Sequence, residues 1–457
     1  MTKTEMKRGN LDMTQGEPAR LLIRFALPML VGGIFQLMYN MVDTIVVGRF
    51  VSIEALAAIG ATSSATMFLM MMGGGLTNAL SVIVSQAEGA RQEEKLRRAV
   101  THAVYLVAAA GLLLGLASTI GARPFMRLLG APENVIDGSV TYLRIVGGMT
   151  IAQMAYNGVA ALLRAIGDSK TPLIFLIFSS LLNVVLDLFF VLALHGGVAG
   201  VAWATVLSQA VSALLCTIYM LRQYPRLRPS REAWQFDAGL IRDYLRIGLP
   251  MCAQSGALSI GMFVITAVIN SFGSDVVAAY TIGNKVEQLA TVSFYNLAFS
   301  FSVYAGQNFG ARRFERIKEG LRKGLGIIGG LALLSTVLIL IFARPLARVF
   351  MEEEAQAVLH SAVDMIRIEA ALYIALGAIW TVNSCLRGIG AVKITLVSSL
   401  VELVCKIGLS LLLPRFMGTI GIWIAAPAGW VLGLIPSFAY LSWWFRDPQG
   451  RSEALQA

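Results

Sequence analysis

The sequence predicts an all-α polytopic membrane protein, with twelve transmembrane helices in two six-helix lobes related by a pseudo-two-fold axis along the membrane normal. Three features predict it. Hydrophobic residues make up 56% of the chain and charged ones only 14%, where a soluble domain carries about 25% charge, and the mean hydropathy is +0.70. Apolar runs long enough to cross a bilayer, roughly 20 residues each, recur along the whole length. The second half also repeats motifs of the first at a nearly constant offset.

Taken in order, the first 20 residues are polar and basic, with no apolar core leading to a cleavage site. The first span is therefore expected to act as a retained signal anchor. Apolar periodicity and length place the spans at about 22–48, 55–82, 97–120, 139–166, 172–194, 197–221, 242–270, 275–304, 320–342, 360–389, 392–413 and 418–445. The longest polar segment, "RQYPRLRPSREAWQFDAG", lies between the sixth and seventh and divides the chain near its middle. This gives an N-terminal lobe (1–221), a cytoplasmic linker (222–239) and a C-terminal lobe (240–457). The four cysteines, Cys216, Cys252, Cys385 and Cys405, all fall in apolar stretches without CxxC spacing and read as membrane-core residues.

Charge orients the chain. One set of alternate loops holds Arg91, Lys95, Arg97 and Arg98, then Arg164 and Lys170, the basic linker, and the run from Arg312 to Lys323. The opposite set holds only Arg49, Arg123, Arg127, Arg344, Arg348 and Arg415. The positive-inside rule places both termini and the first set in the cytoplasm. The net charge of +10 is thus topological, and no nucleic-acid partner is expected.

The halves repeat. "ALPML" at 26–30 is echoed by "GLPMC" at 248–252, "QAEGAR" at 86–91 by "QNFGAR" at 307–312, "LRAIGDSKTPL" at 163–173 by "LRGIGAVKITL" at 386–396, and "YLRI" at 142–145 by "MIRI" at 365–368. The offsets are 222, 221, 223 and 223. Six spans per half start both halves on the same side, which makes them parallel repeats of the kind found in secondary transporters.

Within "SSLLNVVLDLFFVLAL" (179–194), Asn183 and Asp187 stand one turn apart on the same helical face. A carboxylate at the bilayer centre costs about 2.5–3.5 kcal/mol on insertion scales, and ionisable groups there mark function by default. Asp43 lies roughly 8 Å from the outer end of span 1 and Asp187 roughly 10 Å from that of span 5, at 1.5 Å per residue. Thr205 in span 6 falls at a similar depth. Two carboxylates, an amide and a hydroxyl can converge there. Such hard oxygen ligands suit a hard cation, sodium included, and two nearby carboxylates can also share one proton. Gln36, Tyr39 and Asp43 follow the spacing i, i+3, i+7 and share a stripe of span 1. Met154 and Asn157 give a second mixed stripe in span 4. Pro28, if span 1 begins near residue 22, is interior enough to permit a helix bend.

Enzyme signatures are missing. His102, His195 and His360 are isolated with no HExxH. "GLGIIG" at 324–329 follows no strand and reads as a packing surface, and there is no GxxxxGKS/T motif for ATP. No cofactor is expected beyond a coupling ion, H+ or Na+, and energy must come from an ion gradient.

Twelve helices in two halves, the early "LP" and "VDTIVVG" of span 1, and "LRAIGDSKTP" followed by "NVVLD" resemble the multidrug and toxic compound extrusion family over essentially the whole chain. An Asp in span 1 with Asn-x-x-x-Asp in span 5 is similar to its DinF-like branch. The resemblance implies export of organic, often cationic amphipathic small molecules in exchange for protons or sodium ions. It implies a multi-pass protein of the bacterial cytoplasmic membrane, working as a monomer. It also implies that residues matching Gln36, Tyr39 and Asn157 line the N-lobe cavity. The alternative within the same superfamily is a flippase for a lipid-linked or glycan substrate. Such a flippase should carry several Arg residues for a pyrophosphate, and the intramembrane basic residues here, Arg144, Lys285, Arg367 and Lys406, do not cluster in sequence. Some relatives place a cation site in the C-terminal lobe with carboxylates in spans 7 and 10. Here the repeat counterparts of Asp43, Asn183 and Asp187 are Ile265, Lys406 and Ser410, span 7 lacks a carboxylate after "GLPMC", and span 10 has only Asp364 and Glu369, read as near its outer end. Glu402 and Lys406, an i,i+4 pair, are expected to neutralise one another.

The orientation is testable. Single cysteines placed in 223–238 should react with a membrane-impermeant maleimide only from the cytoplasmic side, and those in 131–138 only from outside; the reverse labelling would invert the topology.

Overall fold

The computed structural model describes residues 10–350 and 356–456, apart from the side chains of residues 39–44, 53 and 456. The described residues contain no strand. Spans 1 to 3 are α1 (Pro18–Phe50), α2 (Ile53–Gly89) and α3 (Glu93–Leu128). Span 4 is broken into α4 (Glu133–Gly148) and α5 (Thr150–Ala165), bent by 43°. Span 5 is α6 (Lys170–Leu188) continued by a π-helical turn over Phe189–Ala193, and span 6 is α7 (Gly197–Gln223). Spans 7 to 9 are α8 (Ala238–Asn270), α9 (Ser274–Gly310) and α10 (Phe314–Arg348). Span 10 is again broken, into α11 (Gln356–Ala371) and α12 (Tyr373–Gly388), bent by 52°. Span 11 is α13 (Val392–Leu412); a short α14 (Pro414–Met417) leads to span 12, α15 (Thr419–Trp444), and α16 (Pro448–Gln456) follows.

Among the described residues nine helices are singly long and apolar enough to cross a membrane, and the two bent pairs qualify when joined. Helix α9 has the length, 37 residues, but Asn284, Lys285, Glu287, Gln288 and Asn296 lower its hydropathy. The faces are arranged as lipid demands. On α3, Leu112, Leu113, Leu116 and Ile120 point outward while Gly111, Gly115 and Ser118 are buried. A Cβ on Gly115 would lie 2.5 Å from the Gly148 carbonyl oxygen, so α3 can approach the break in span 4 only through a glycine. Small residues let membrane helices pack this closely.

The internal repeat is visible in the backbone. "QAEGAR" and "QNFGAR" end α2 and α9 with Arg91 and Arg312 at φ 55° and 54°. In both, two backbone bonds close the helix: Arg91 N–H to Glu88 and Gln92 N–H to Ala87, and Arg312 N–H to Phe309 and Arg313 N–H to Asn308. This is the Schellman pattern. "LRAIGDSK" and "LRGIGAVK" end α5 and α12 in the same way, with Gly167 and Gly390 at φ 94° and 87°. Pro28 and Pro250 both lie inside long helices, α1 and α8.

By contacts the chain divides into two compact units, Met1–Asp12 with Val31–Cys252, and Met13–Leu30 with Ala253–Ala457. The division falls two residues past each of these prolines. Proline removes an i→i−4 hydrogen bond and kinks a helix, which is where a helix can pass from one body to another. In the first unit the core combines α2, α3, α5, α7 and the start of α8, through Leu80, Val100, Leu163, Met220 and Tyr244. The linker is fixed to this unit. Arg226 pairs with Glu88 at 2.7 Å with both side chains largely buried, Tyr105 donates to the Trp234 carbonyl, and the Asp237 N–H donates to His102 Nε2. His102 Nδ1 therefore carries the proton and donates to the Arg98 carbonyl at 2.8 Å. In the second unit the core gathers α9, α10, α11, α12 and α15 around Phe294, Ile339, Met365 and Trp423. The strap ahead of α1 is also held there. Met13 N–H donates to Gln307 Oε1 and the Met13 carbonyl accepts from Asn308. Arg313 and Arg316 donate to the Thr14 and Gly16 carbonyls.

Asp168 shows how the repeat motif builds a helix start. Its carboxylate accepts from the N–H groups of Lys170 and Thr171, from the Thr171 hydroxyl and from the Tyr224 hydroxyl at 2.8 Å. Burial first, and then the Asp168 carboxylate, push the Tyr224 hydroxyl well above its ordinary range. The second half has Ala391 here and no such cap. Asp168→Ala should lower stability by about 2–4 kcal/mol, adding a lost N-cap to a stranded buried hydroxyl, read as a lower thermal-unfolding midpoint in detergent. Tyr224→Phe combined with Asp168→Ala should recover part of the loss.

Candidate functional site

Asn183 and Asp187 lie on the buried face of α6, exposed by only 1% and 0%. Leu181 and Val185 on the opposite face are 59% and 62% exposed. The amide and the carboxylate thus share the protein-facing stripe of a lipid-facing helix. Helix α6 packs along α7, and the turn between them is tight. His195 and Gly197 take φ of 50° and 53°, and Gly196 N–H donates to the Phe190 carbonyl at 2.9 Å. A Cβ on Gly200 would meet Phe190 Cβ at 3.1 Å, which fixes the register of α7 against the end of span 5. Counted from this turn, Asp187 and Thr205 each lie about 10–12 Å along their helices. Thr205 is half-buried, and its hydroxyl donates back to the Val201 carbonyl at 3.1 Å.

The π turn begins two residues after Asp187. Its bond runs from Leu194 N–H to the Phe189 carbonyl, 3.3 Å, five residues back. Such widened turns are uncommon and concentrate at functional sites. No sequence signal marked it. The break in span 4 at Met149 falls within "GGMT" (147–150), which holds two glycines.

The remaining candidates are placed as follows. Gln36 on α1 and Asn157 on α5 are half-buried. Met154 is only 2% exposed and belongs to the apolar core, against Gly73 of α2. Pro28 is buried inside α1. Tyr39 and Asp43 lie outside the described side chains, on the helical backbone of α1. Among the described residues no group of three His, Cys, Asp or Glu is placed to hold a metal ion.

Glu369 departs from its expected position. It stands in the last turn of α11, beside the break in span 10, and is 4% exposed. It lies about 20 Å along the helix from Gln356 at 1.5 Å per residue, hence in the middle of the span. Its Oε2 is buried without a hydrogen-bond partner. Even from the expected start at residue 360 its depth is about 14 Å, so its place beside the break, and not near the outer end, is what the spacing implies.

The fold and these motifs have close parallels. A family model, MatE, matches residues 28–189 and 250–412, well over half of the chain and once in each half. The chain belongs to the MatE family of transporters. "Probable multidrug resistance protein YoeA" of Bacillus subtilis (strain 168) is 27% identical, covering 94% of this chain and 95% of that protein. "DNA damage-inducible protein F" of Escherichia coli (strain K12) is 27% identical over 70% of each. A solved structure described as the outward-facing conformation of a multidrug resistance MATE family transporter of the MOP superfamily superposes with a TM-score of 0.87, at 23% identity and 98% coverage of both chains. This MatE family member is accordingly a multi-pass membrane transporter of small molecules.

Proposed function

We propose that this MatE family member is a secondary active antiporter, exporting organic, often cationic amphipathic compounds in exchange for protons or sodium ions. The coupling site is formed by Asp43, Asn183, Asp187 and Thr205 in the N-terminal lobe. One observation carries the reading. A carboxylate and an amide one turn apart on a lipid-facing helix are both almost wholly shielded, at 0% and 1% exposure. A carboxylate shielded in this way is a place where a bound cation or proton is strongly favoured, and the site changes charge when that ion leaves. The protein alternates between an ion-loaded state, in which Asp187 and Asp43 are neutralised, and a cargo-loaded state. The cargo's own positive charge then takes over that neutralising role.

Gln36, Tyr39 and Asn157 are assigned to orient cargo by hydrogen bonds, with Met154 as apolar support behind them. Pro28 lets α1 change its bend, which moves Asp43 relative to α6 without breaking a hydrogen bond that was never made. The ion is a co-substrate, and no resident cofactor is assigned. The chain functions as a monomer with both termini in the cytoplasm.

Purified protein in vesicles with an imposed proton or sodium gradient tests this. Asp43→Asn and Asp187→Asn should each abolish gradient-driven ethidium transport while leaving insertion and folding intact. Asn183→Ala and Thr205→Ala each remove one neutral ligand, worth about 1 kcal/mol. They should raise the half-saturating ion concentration about fivefold and spare the maximal rate. Unimpaired gradient-driven transport by Asp43→Asn would overturn the N-lobe site, and ion-independent transport would overturn antiport itself.

A further inference from the structure

The "GLGIIG" stretch of α10 (324–329) is packed on one side only. A Cβ on Gly324 would meet the Phe301 ring at 3.3 Å, whereas one on Gly326 or Gly329 would meet nothing within 4 Å. Gly326 and Gly329 follow Arg322 by four and seven residues, so they continue its face of the helix. That face begins with Glu315, Lys318 and Arg322, spaced i, i+3, i+7, and Leu325 lies one turn beyond. On α15, Phe438, Leu441, Ser442 and Phe445 follow the matching i, i+3, i+4, i+7 pattern. The two faces line one groove of about 500 Å³. Phe314 and Trp444, with ring centroids 5.6 Å apart, join the two helices at its polar end.

The groove is charged at that end and apolar along the rest. Glu315, Lys318 and Arg322 are exposed. Leu321 and Leu441, at 8% and 2% exposure, form the floor, and Phe438 stands out beside them at 54%. Both helices then run without a charged residue, over 324–343 of α10 and 419–445 of α15. Each run is long enough to cross the hydrocarbon core. The charged end therefore lies at headgroup level, on the side that the basic loops place in the cytoplasm. A ligand that fills this groove has a charged head and an apolar tail, as a membrane phospholipid does.

The charges choose among phospholipids. Glu319 is matched by Lys323 at 3.0 Å. Among the described residues Glu315, Lys318 and Arg322 form no ion pair. From the cytoplasmic end inward the order is carboxylate, ammonium, guanidinium and then apolar side chains. An ethanolamine phospholipid presents its ammonium, its phosphate and then its acyl chains in the same order. Lys318 and Arg322 give the phosphate two charge-assisted donors, and Glu315 accepts from the ammonium. A headgroup with only a phosphate would set a like charge near Glu315. A choline headgroup has no N–H to donate, whereas a primary ammonium has three.

We propose that this groove binds phosphatidylethanolamine, with the phosphate on Lys318 and Arg322, the ammonium on Glu315, and an acyl chain along Leu325, Gly326, Gly329 and Phe438. The bound lipid adds a non-covalent tie between α10 and α15 within the second unit. It shares no residue with Asp43, Asn183, Asp187 or Thr205, so this assignment and the antiport reading stand or fall separately.

Native mass spectrometry of the full-length protein in detergent tests it, by titration with phosphatidylethanolamine, phosphatidylcholine or phosphatidylglycerol of identical acyl chains. The first phosphatidylethanolamine should bind about fivefold more tightly than either of the others, the effect of one exposed ion pair. Glu315→Gln should abolish that preference and leave phosphatidylcholine binding unchanged. Lys318→Gln/Arg322→Gln should weaken all three lipids about tenfold. Gly326→Leu/Gly329→Leu fills the chain track while improving helix propensity. It should weaken all three lipids without altering their ranking. Should a double variant not fold, Lys318→Gln or Gly329→Leu alone should show the same change in smaller degree. Free phosphoethanolamine, the headgroup without chains, should not displace the lipid at equal concentration; displacement would overturn a lipid as the occupant. Equal affinity for phosphatidylethanolamine and phosphatidylcholine, tightest binding of phosphatidylglycerol, or a preference that survives Glu315→Gln overturns the headgroup assignment. Lipid binding untouched by both double variants overturns the groove as the site.

Discussion

A carboxylate in a bilayer has no water to lean on, so each buried acid must be neutralised or hydrogen-bonded where it stands. Asp187 at 0% exposure and Glu369 at 4% impose this constraint once in each half of the chain. Much of the local architecture follows from it. Helix α6 turns its amide and carboxylate inward and its Leu181 and Val185 outward. Span 10 breaks immediately after Glu369, and small residues allow neighbouring helices to close around the acids. Asp168, equally buried at 5%, meets the same demand differently. Four hydrogen-bond donors surround it, which satisfies a carboxylate permanently and suits it to structure rather than to exchange.

The two halves keep the repeat where backbone geometry requires it and diverge where side chains carry charge. Arg91 and Arg312 both adopt a left-handed conformation that costs an ordinary L-residue roughly 1–2 kcal/mol, and both close a Schellman turn. Three residues earlier the halves part. Glu88 makes a buried pair with Arg226, while Phe309 packs against Phe314 and Trp444. The Asp168 cap is matched by Ala391, and Asn183 and Asp187 by Lys406 and Ser410. A duplicated scaffold has thus retained one set of helix ends while its buried charged side chains have diverged.

The class, the spans and the repeat were legible because they are written in composition and register. Lipid demands long apolar runs, and a duplicated backbone leaves matched Gly, Pro and Arg positions at a fixed offset. Asn183 and Asp187 were legible because a carboxylate in an apolar run is conspicuous. The burial of Glu369 was not, because the helix that carries it already runs from Gln356. The π turn after Asp187 and the breaks at Met149 and Leu372 were hidden for a different reason. They depend on tertiary packing, such as Gly115 against Gly148, which no local propensity records. For the same reason Met154, a candidate cargo contact by helical spacing, proved to be core.

The strap ahead of α1 has a consequence for biosynthesis. Met13 donates to Gln307, 294 residues later in the chain, and its carbonyl accepts from Asn308. The backbone groups of Met13 therefore meet these partners only once the eighth span has been made, whereas Leu11 N–H bonds to the Gly167 carbonyl of the first half. Only then can Met13, Thr14 and Gly16 be held by the second half. This seam therefore forms after the eighth span and before the last four, so the entry to α1 is fixed by a helix end made much later in the chain.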